Sequence, residues 1–339
     1  MTGFVLVTGG AGFIGSHTCV ELLQTDRQVI VMDNLCNASR ASLDAVERIT
    51  QKKVTFIEAD VRDRSALTDI FERYPISSVL HFAGLKAVGE STEQPTKYYD
   101  YNVNGTLALV ETMSKHGCKT LVFSSSATVY GVSESAPLTE SSPLNPVNPY
   151  GRTKRFVEQM LEDLYAADPE WRISLLRYFN PVGAHASGQM GEDPNDIPNN
   201  LMPYISQVAV GKLEKLNVFG DDYETRDGTG IRDYIHVVDL ARGHIAALTY
   251  LADEPKLCVH NLGTGTGSSV FDALHAFERA CGKTLPFKIA DRRPGDAAIS
   301  FADPSKAAQE LKWTAEFDLD RMCEDAWRWQ SLHPTGYRT

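Results

Sequence analysis

The sequence predicts an α/β fold: a doubly wound parallel sheet followed by a smaller α/β lobe. Three observations predict it. Short apolar runs alternate with stretches of helical periodicity through the first half. A glycine-rich run, Gly9-Gly-Ala-Gly12-Phe-Ile-Gly15, falls between the first apolar run and the first helical stretch. After Phe179-Asn-Pro-Val-Gly183 the texture changes, and residues 184–235 are rich in Gly, Pro, Asn and Asp.

Residues 4–8, 29–33, 54–59, 78–83, 120–124 and 173–177 read as strands. Most are near-continuous apolar runs, as expected of strands covered on both faces. Residues 16–23, 40–50, 65–73, 95–115 and 150–167 between them carry helical periodicity. That βαβ series implies right-handed crossovers. In the second half, a short helix near 202–210 and longer ones over 237–251, 270–280 and 319–331 are expected, with a short strand at 287–289. At 339 residues the chain exceeds one comfortable core. The expected division is 1–180 for a dinucleotide-binding Rossmann domain and 181–339 for a smaller lobe closing over the carboxyl ends of the strands, with some chain crossing back.

Composition narrows the partners. The formal net charge of −11 argues against nucleic acid and anionic membranes. An anionic ligand would need a local cluster of Arg and Lys. No apolar run approaches ~18 residues, and no secretory signal is visible. Cys19, Cys36, Cys118, Cys258, Cys281 and Cys323 are scattered without a C-x-x-C pair. Reduced thiols in a cytoplasm are the plain reading, and no metal site is expected.

The glycine run carries the first chemistry. Gly9 allows the tight turn, Gly12 the close approach of a pyrophosphate, and Gly15 close helix packing, and Phe13 and Ile14 within the run are cofactor-site candidates. Asp33 ends the second strand about 20 residues on. A carboxylate there binds the adenine ribose hydroxyls and repels a 2′-phosphate, so the cofactor is expected to be NAD. Asn34 and Asn37 follow on the same loop. Asp60 and Val61, after the third strand, are placed near the adenine. Phe82, Ala83, Gly84 and Lys86 leave the fourth strand toward the pyrophosphate and ribose. A second run, Leu262-Gly-Thr-Gly-Thr-Gly267, lacks a trailing acid and reads as a plain loop.

The second chemistry is a trio. Ser126 lies in Ser124-Ser-Ser-Ala-Thr-Val-Tyr-Gly131, and Tyr150 and Lys154 in Asn148-Pro-Tyr-Gly-Arg-Thr-Lys154. A four-residue step stacks Tyr150 and Lys154 on one helix face. An ammonium beside a phenol favours the phenolate and lowers its pKa from about 10. Such a tyrosine acts as a base near neutral pH. With a nicotinamide, the trio implies oxidation of a secondary alcohol.

These motifs resemble the extended short-chain dehydrogenase/reductase family, over residues 3 to about 337. Its more specific pieces are His81-Phe-Ala-Gly-Leu-Lys-Ala-Val-Gly-Glu90, Phe123-Ser-Ser-Ser-Ala-Thr-Val-Tyr-Gly131, Leu176-Arg-Tyr-Phe-Asn-Pro-Val-Gly-Ala-His185, Ile197-Pro-Asn-Asn-Leu-Met-Pro-Tyr204 and Asp227-Gly-Thr-Gly-Ile-Arg-Asp-Tyr-Ile-His236. The resemblance implies NAD-dependent inversion at C4 of a UDP-hexose, interconverting UDP-galactose and UDP-glucose through a transient 4-keto sugar. Tyr150 would be the base, Ser126 its hydrogen-bonding partner, and Lys154 the holder of the nicotinamide ribose. Ser124, Asn102 and Phe179 would complete the cofactor site, with Tyr101 standing where some members have Asn. The UDP-sugar would meet Lys86, Asn180, Asn200 and Leu201. Asn217, Val218 and Phe219 would line the uracil pocket. Arg232 and Arg293 would hold the diphosphate and Asp296 the uridine ribose. Ser300 stands where hexose-restricted members commonly have Tyr, which implies that UDP-N-acetylglucosamine and UDP-N-acetylgalactosamine are also accepted. The helices over 95–115 and 150–167 would pair two copies in a four-helix bundle, giving a homodimer.

The nearest rival is a nucleotide-sugar 4,6-dehydratase, but Ala127-Thr128 follows Ser126 where dehydratases carry Asp-Glu. No cation or hydroxyl signature suited to a C6 carboxylate marks a decarboxylase or a glucuronate epimerase. An NADP-dependent ketoreductase conflicts with Asp33. An NAD-sensing regulator would typically lose the tyrosine or lysine.

Overall fold

The computed structural model describes residues 3–133, 136–193, 198, 200–293 and 295–337. The strands are β1 Phe4–Thr8, β2 Gln28–Asp33, β3 Thr55–Glu58, β4 Ile76–His81, β5 Thr120–Ser124, β6 Arg172–Tyr178, β7 Asn180–Val182, β8 Leu216–Phe219, β9 Ile231–His236, β10 Lys256–Leu262, β11 Gly267–Ser269, β12 Phe287–Ala290 and β13 Ile299–Ser300. The α-helices are α1 Phe13–Gln24, α2 Arg40–Thr50, α3 Arg64–Arg73, α4 Val88–Glu93, α5 Pro95–Tyr98, α6 Gly105–Lys115, α7 Pro149–Ala167, α8 Leu201–Ala209, α9 Val237–Tyr250, α10 Val270–Cys281, α11 Ser305–Glu310 and α12 Leu319–Leu332. No helix of the described residues is long and apolar enough to cross a membrane.

Seven strands form one sheet in the order β10-β6-β5-β4-β1-β2-β3, parallel throughout. Side chains alternate across it. Val5, Val7, Val29 and Val31 face one side with α1, α2 and α9. Leu6, Ile30, Met32 and Phe123 face the other with α3, α6 and α7. Both faces are buried, which explains the continuous apolar runs. The strand order reverses between β1 and β4, so the crevice opens at their carboxyl ends. The glycine loop follows β1 there. β4, β5 and β6 deliver Phe82–Lys86, Ser124–Ser126 and Tyr178–Asn180 to the same edge.

A second cluster of apolar side chains from β8, α8, α10 and α12 forms the smaller lobe's core. Its sheets are small: β11, β9 and β13 pair in that order with β7 also on β9, and β12 pairs with β8.

The structure differs from the sequence reading in several places. The seventh strand, β10, is not predicted. Its run Lys-Leu-Cys-Val-His-Asn-Leu is interrupted by polar residues. Their burial is what hides it: Asn261 accepts a hydrogen bond from the Tyr130 hydroxyl at 2.6 Å and donates to the Leu138 carbonyl at 2.8 Å. β8 and β9, within the stretch read as irregular, are also unpredicted, as are β7, β11 and β13. They find partners only across the smaller lobe. The helical run 95–115 holds, but Tyr99–Asn104 within it is a π-helical turn. The first helix begins at Phe13 rather than Ser16, because Gly12 already serves as its N-cap.

Candidate active site

The glycine loop is shaped by close packing. Gly9 has φ +70°, and a Cβ on it would lie 2.6 Å from the Ala83 backbone nitrogen. A Cβ on Gly15 would lie 2.3 Å from the Gly9 carbonyl oxygen. Gly12 caps α1 without a side-chain hydrogen bond, and no acid sits in the first turn. The backbone N–H groups of that turn therefore face an anion without competition. This cradle fits a dinucleotide pyrophosphate.

Asp33 is buried beside the loop and is its latch as well as a ribose ligand candidate. Its Oδ2 accepts from Ala11 N at 3.0 Å and its Oδ1 from Leu35 N at 2.8 Å. Burial raises its pKa, with those two bonds opposing. Asn34 donates to Asp60 at 2.8 Å, and Asn37 is exposed on the following turn. Arg62 grips Asp60 and holds its carboxyl at about 2. Arg62 also stacks on Tyr101, 3.5 Å from the ring centre. Val61 is buried against α3 and α6.

Phe82 N and Ala83 N donate to the Thr8 carbonyl at 3.0 and 3.1 Å, tying the β4 exit to β1. Gly84 is exposed at this turn. Asn102 shapes it: Oδ1 accepts from Leu85 N at 2.7 Å, and Nδ2 donates to Leu85 O and to Thr153 Oγ1, both at 3.0 Å. Its polar atoms are thus engaged within the chain. Lys86 pairs with Glu192 at 2.9 Å.

The trio comes together as its spacing implies. Pro149 occupies the first helical position of α7, and Asn148 Oδ1 accepts from Gly151 N at 2.8 Å. That cap starts the helix where Tyr150 and Lys154 share a face. Ser126 caps the short 3-10 turn Ala127–Tyr130, and its Oγ accepts from Thr128 N and Thr128 Oγ1 at 3.2 and 3.0 Å. Ser126 faces the Tyr150 hydroxyl and favours its ionised form. Lys154 Nζ donates to the Ser124 carbonyl at 2.8 Å and stands 5.9 Å from the Tyr150 ring centre.

One expectation is corrected here. The spacing implies a phenol lowered by Lys154. Instead burial pushes the Tyr150 hydroxyl well above its ordinary value; Tyr178 adds to the rise and Ser126 opposes it. Burial also pulls Lys154 down to about 8, against Glu158. The ammonium's hydrogen bond goes to a carbonyl, and desolvation outweighs its field at the phenol.

Tyr178 is a residue the sequence reading missed. Ser124 Oγ donates to its hydroxyl at 3.0 Å, and it is electrostatically coupled to Tyr150. Its place in Leu176–His185 is the signal that could have found it. Phe179 is buried with Val129, Tyr130, Leu138 and Ala302. It packs the base of the site.

The smaller lobe carries the other residues expected at the site. Asn180 is exposed at the start of β7. Asn200 caps α8 without a side-chain hydrogen bond, and half-buried Leu201 opens that helix. In the expected motif 197–204, Ile197 and Asn199 lie outside the described residues. Asn217 Oδ1 is buried without a hydrogen-bond partner among the described residues, so it is available to a ligand N–H. Val218 is fully buried in the lobe's core. Alternation along β8 turns its side chain inward, so it lines no pocket with that side chain. Arg293 lies over the Phe219 ring, 3.9 Å from its centre. Arg232 donates to the Ile231 carbonyl at 2.8 Å and reaches Asp296 at 3.6 Å. Ser300 pairs in register with Arg232.

A hydroxyl, a phenol and an ammonium at the switch point of a dinucleotide fold define a nicotinamide-dependent enzyme of the extended short-chain dehydrogenase/reductase class. The family model described as GDP-mannose 4,6 dehydratase matches residues 6–326. The chain is 59% identical over 335 residues to UDP-glucose 4-epimerase of Bacillus subtilis (strain 168), covering 99% of each chain. It is 56% identical over 342 residues to the Homo sapiens UDP-glucose 4-epimerase, covering 99% and 98%. A solved UDP-glucose 4-epimerase from Bifidobacterium longum, in complex with NAD+ and UDP, superposes with a TM-score of 0.96 at 52% identity, covering 98% and 99%. This chain belongs to the UDP-glucose 4-epimerase family.

Proposed function

We propose that the chain interconverts UDP-galactose and UDP-glucose by NAD-dependent epimerisation at C4, through a transient 4-keto sugar. The observation that carries this is Lys154, bonded to the Ser124 carbonyl on the face of α7 that also carries Tyr150, with Ser126 two residues on, at the strand ends beside the glycine loop. The glycine loop would hold NAD, which would supply the hydride acceptor for C4 and a positive ring to join Lys154 in favouring the Tyr150 phenolate. Tyr150 takes the proton from the sugar 4-hydroxyl and later returns it to O4. Ser126 hydrogen-bonds the same oxygen. Lys154 holds the nicotinamide ribose. Phe82–Lys86, Asn34, Asn37, Asp60 and Val61 border the remaining cofactor, and Asp33 selects NAD over NADP.

The UDP moiety anchors on the smaller lobe while the sugar turns. Arg232 and Arg293 offset the diphosphate charge on an otherwise acidic protein. Asn217 and Phe219 receive the uracil, Val218 through its backbone, and Asp296 the ribose. Asn180, Asn200 and Leu201 border the sugar and phosphates. The division of labour follows the division near residue 180, with β10 returning to the main sheet. The dehydratase reading lacks its acid, since Ala127 and Thr128 follow Ser126. Exposed Val88, Leu107 and Phe156 on α4, α6 and α7 support a homodimer through that surface.

The first experiment is chromatography of UDP-sugars after incubation without added cofactor. UDP-galactose should reach equilibrium with UDP-glucose, and denaturation should release bound NAD. A protein that converts nothing, or that makes a 4-keto-6-deoxy sugar, overturns the reading. Gly15→Ala tests the cradle. Its methyl must displace the Gly9 carbonyl, a strain of about 1–3 kcal/mol. The variant should purify with less NAD and melt at a lower temperature; unchanged NAD content would refute the role given to this packing.

A further inference from the structure

Beneath Ser126 and Lys154 lies a buried layer of charge that the reaction above does not use. Glu158 follows Lys154 by one turn of α7 and is fully buried. Ser125 Oγ donates to its Oε1 at 2.7 Å, and Arg177 Nε to the same oxygen at 2.9 Å. Arg177 Nη2 donates to Oε2 at 2.8 Å, and Arg155 Nη1 reaches that oxygen at 3.3 Å. Arg177 is buried on β6, and its Nη1 donates to the Tyr130 hydroxyl and the Glu140 carbonyl at 3.3 and 3.2 Å. Apolar residues often replace such a pair without loss of stability. Stability alone is therefore a weak reason for it.

The local geometry supplies a stronger one. Ser124, Ser125 and Ser126 leave β5 in succession, and each is gripped by a different group. The Ser124 carbonyl accepts from Lys154, Ser125 is held by Glu158, and Ser126 is held by Thr128. We propose that Glu158 is a positioning residue for the reaction: anchored by Arg177, it fixes Ser125 and so aims Ser126, and its carboxylate stands behind the Lys154 ammonium. This rests on the roles given above to Ser126, Tyr150 and Lys154.

The electrostatics agree with the geometry. Burial depresses Lys154 and Glu158 opposes it. Most other groups facing this helix are neutral or already paired; Arg152 on α7 and Arg172 on β6, whose buried Nε has no hydrogen-bond partner, carry charge without an ion pair among the described residues. His81 on β4 is held neutral by burial, and burial raises Tyr150 and Tyr178. Tyr130 is likewise raised. Glu90 on α4 is paired with Lys97 and Tyr98, and Asp100 with Arg62. On β10, Lys256 pairs with Glu254 and His260 with Glu310. On α7 itself, Arg155 is shared between Glu158 and Glu162. Removing the Glu158 charge lowers Lys154 further, so the ammonium is lost at a lower pH.

The test is the pH profile of holoenzyme variants with UDP-galactose. In Glu158→Gln, the alkaline limb of kcat should move about one unit toward lower pH. kcat near neutrality should fall about tenfold, with KM and NAD content unchanged. Ser125→Ala keeps every charge, so kcat should fall with the limb in place. Should Glu158→Gln fail to fold, the Glu158→Leu, Arg177→Met double variant removes a charge of each sign; the nearer Glu158 dominates, so the limb should move the same way by less. An unmoved limb in the folded variant overturns the electrostatic role, and an unchanged kcat in Ser125→Ala overturns the aiming role. Lys154→Met separates the layers: full turnover there would sink the catalytic roles themselves, whereas its loss beside an unmoved limb in Glu158→Gln sinks only this inference.

Discussion

Tyr150→Phe is expected to lower kcat by about 10³-fold while NAD stays bound. The proton on the sugar 4-hydroxyl must leave as hydride leaves C4, and a positioned general base contributes about 10²–10⁴ to such a step. Ser126 cannot substitute, because a serine hydroxyl is a far weaker acid and its oxygen already accepts from Thr128. The substitution is also mild for the fold. The ring stays in place, and Ser126 keeps Thr128 as a partner. A melting temperature close to that of the parent is therefore expected, and residual turnover by chromatography reads the chemistry alone. Activity within tenfold of the parent would show that another group carries the proton.

Ser300→Tyr is expected to divide two activities. Ser300 is half-buried on β13, in register with Arg232 on β9. If the diphosphate lies at Arg232 as proposed, the hydroxymethyl leaves room beside C2 of the sugar. A phenol would fill that room. Forcing an acetamido group against it costs about 1–3 kcal/mol, or about 10–100-fold in turnover. UDP-N-acetylgalactosamine conversion should fall by that factor, and UDP-galactose conversion should survive. Loss of both together would refute the gate. If the parent protein converts only UDP-galactose, another residue closes the pocket.

The parts of the site legible in the sequence are those whose requirements are local. A glycine at positive φ and a glycine against a backbone carbonyl announce themselves by type and spacing, as Gly9 and Gly15 do. Tyr150 and Lys154 are legible because four residues return to the same face of a helix. Asp33 is legible by its distance from the loop, but its second task, latching Ala11, depends on how β2 sits against that loop. Asn102 was expected at the cofactor, and only the fold shows its polar atoms spent on Leu85 and Thr153. Glu158 and Arg177 are nineteen positions apart. No short-range pattern joins them, and the packing of α7 on β6 does.

The amino-acid sequence by itself determined the class of fold, the dinucleotide loop and the Tyr150–Lys154 pair on one helix face, because each rests on backbone geometry or side-chain period over a few residues. Tertiary structure decided the rest. It made a strand of 256–262 by giving buried partners to Asn261. It turned Val218 into core. It also set the protonation balance of Tyr150 and Lys154. Spacing along a helix states which charges are neighbours, but only the packed chain states how much water is left between them, and desolvation is the larger effect.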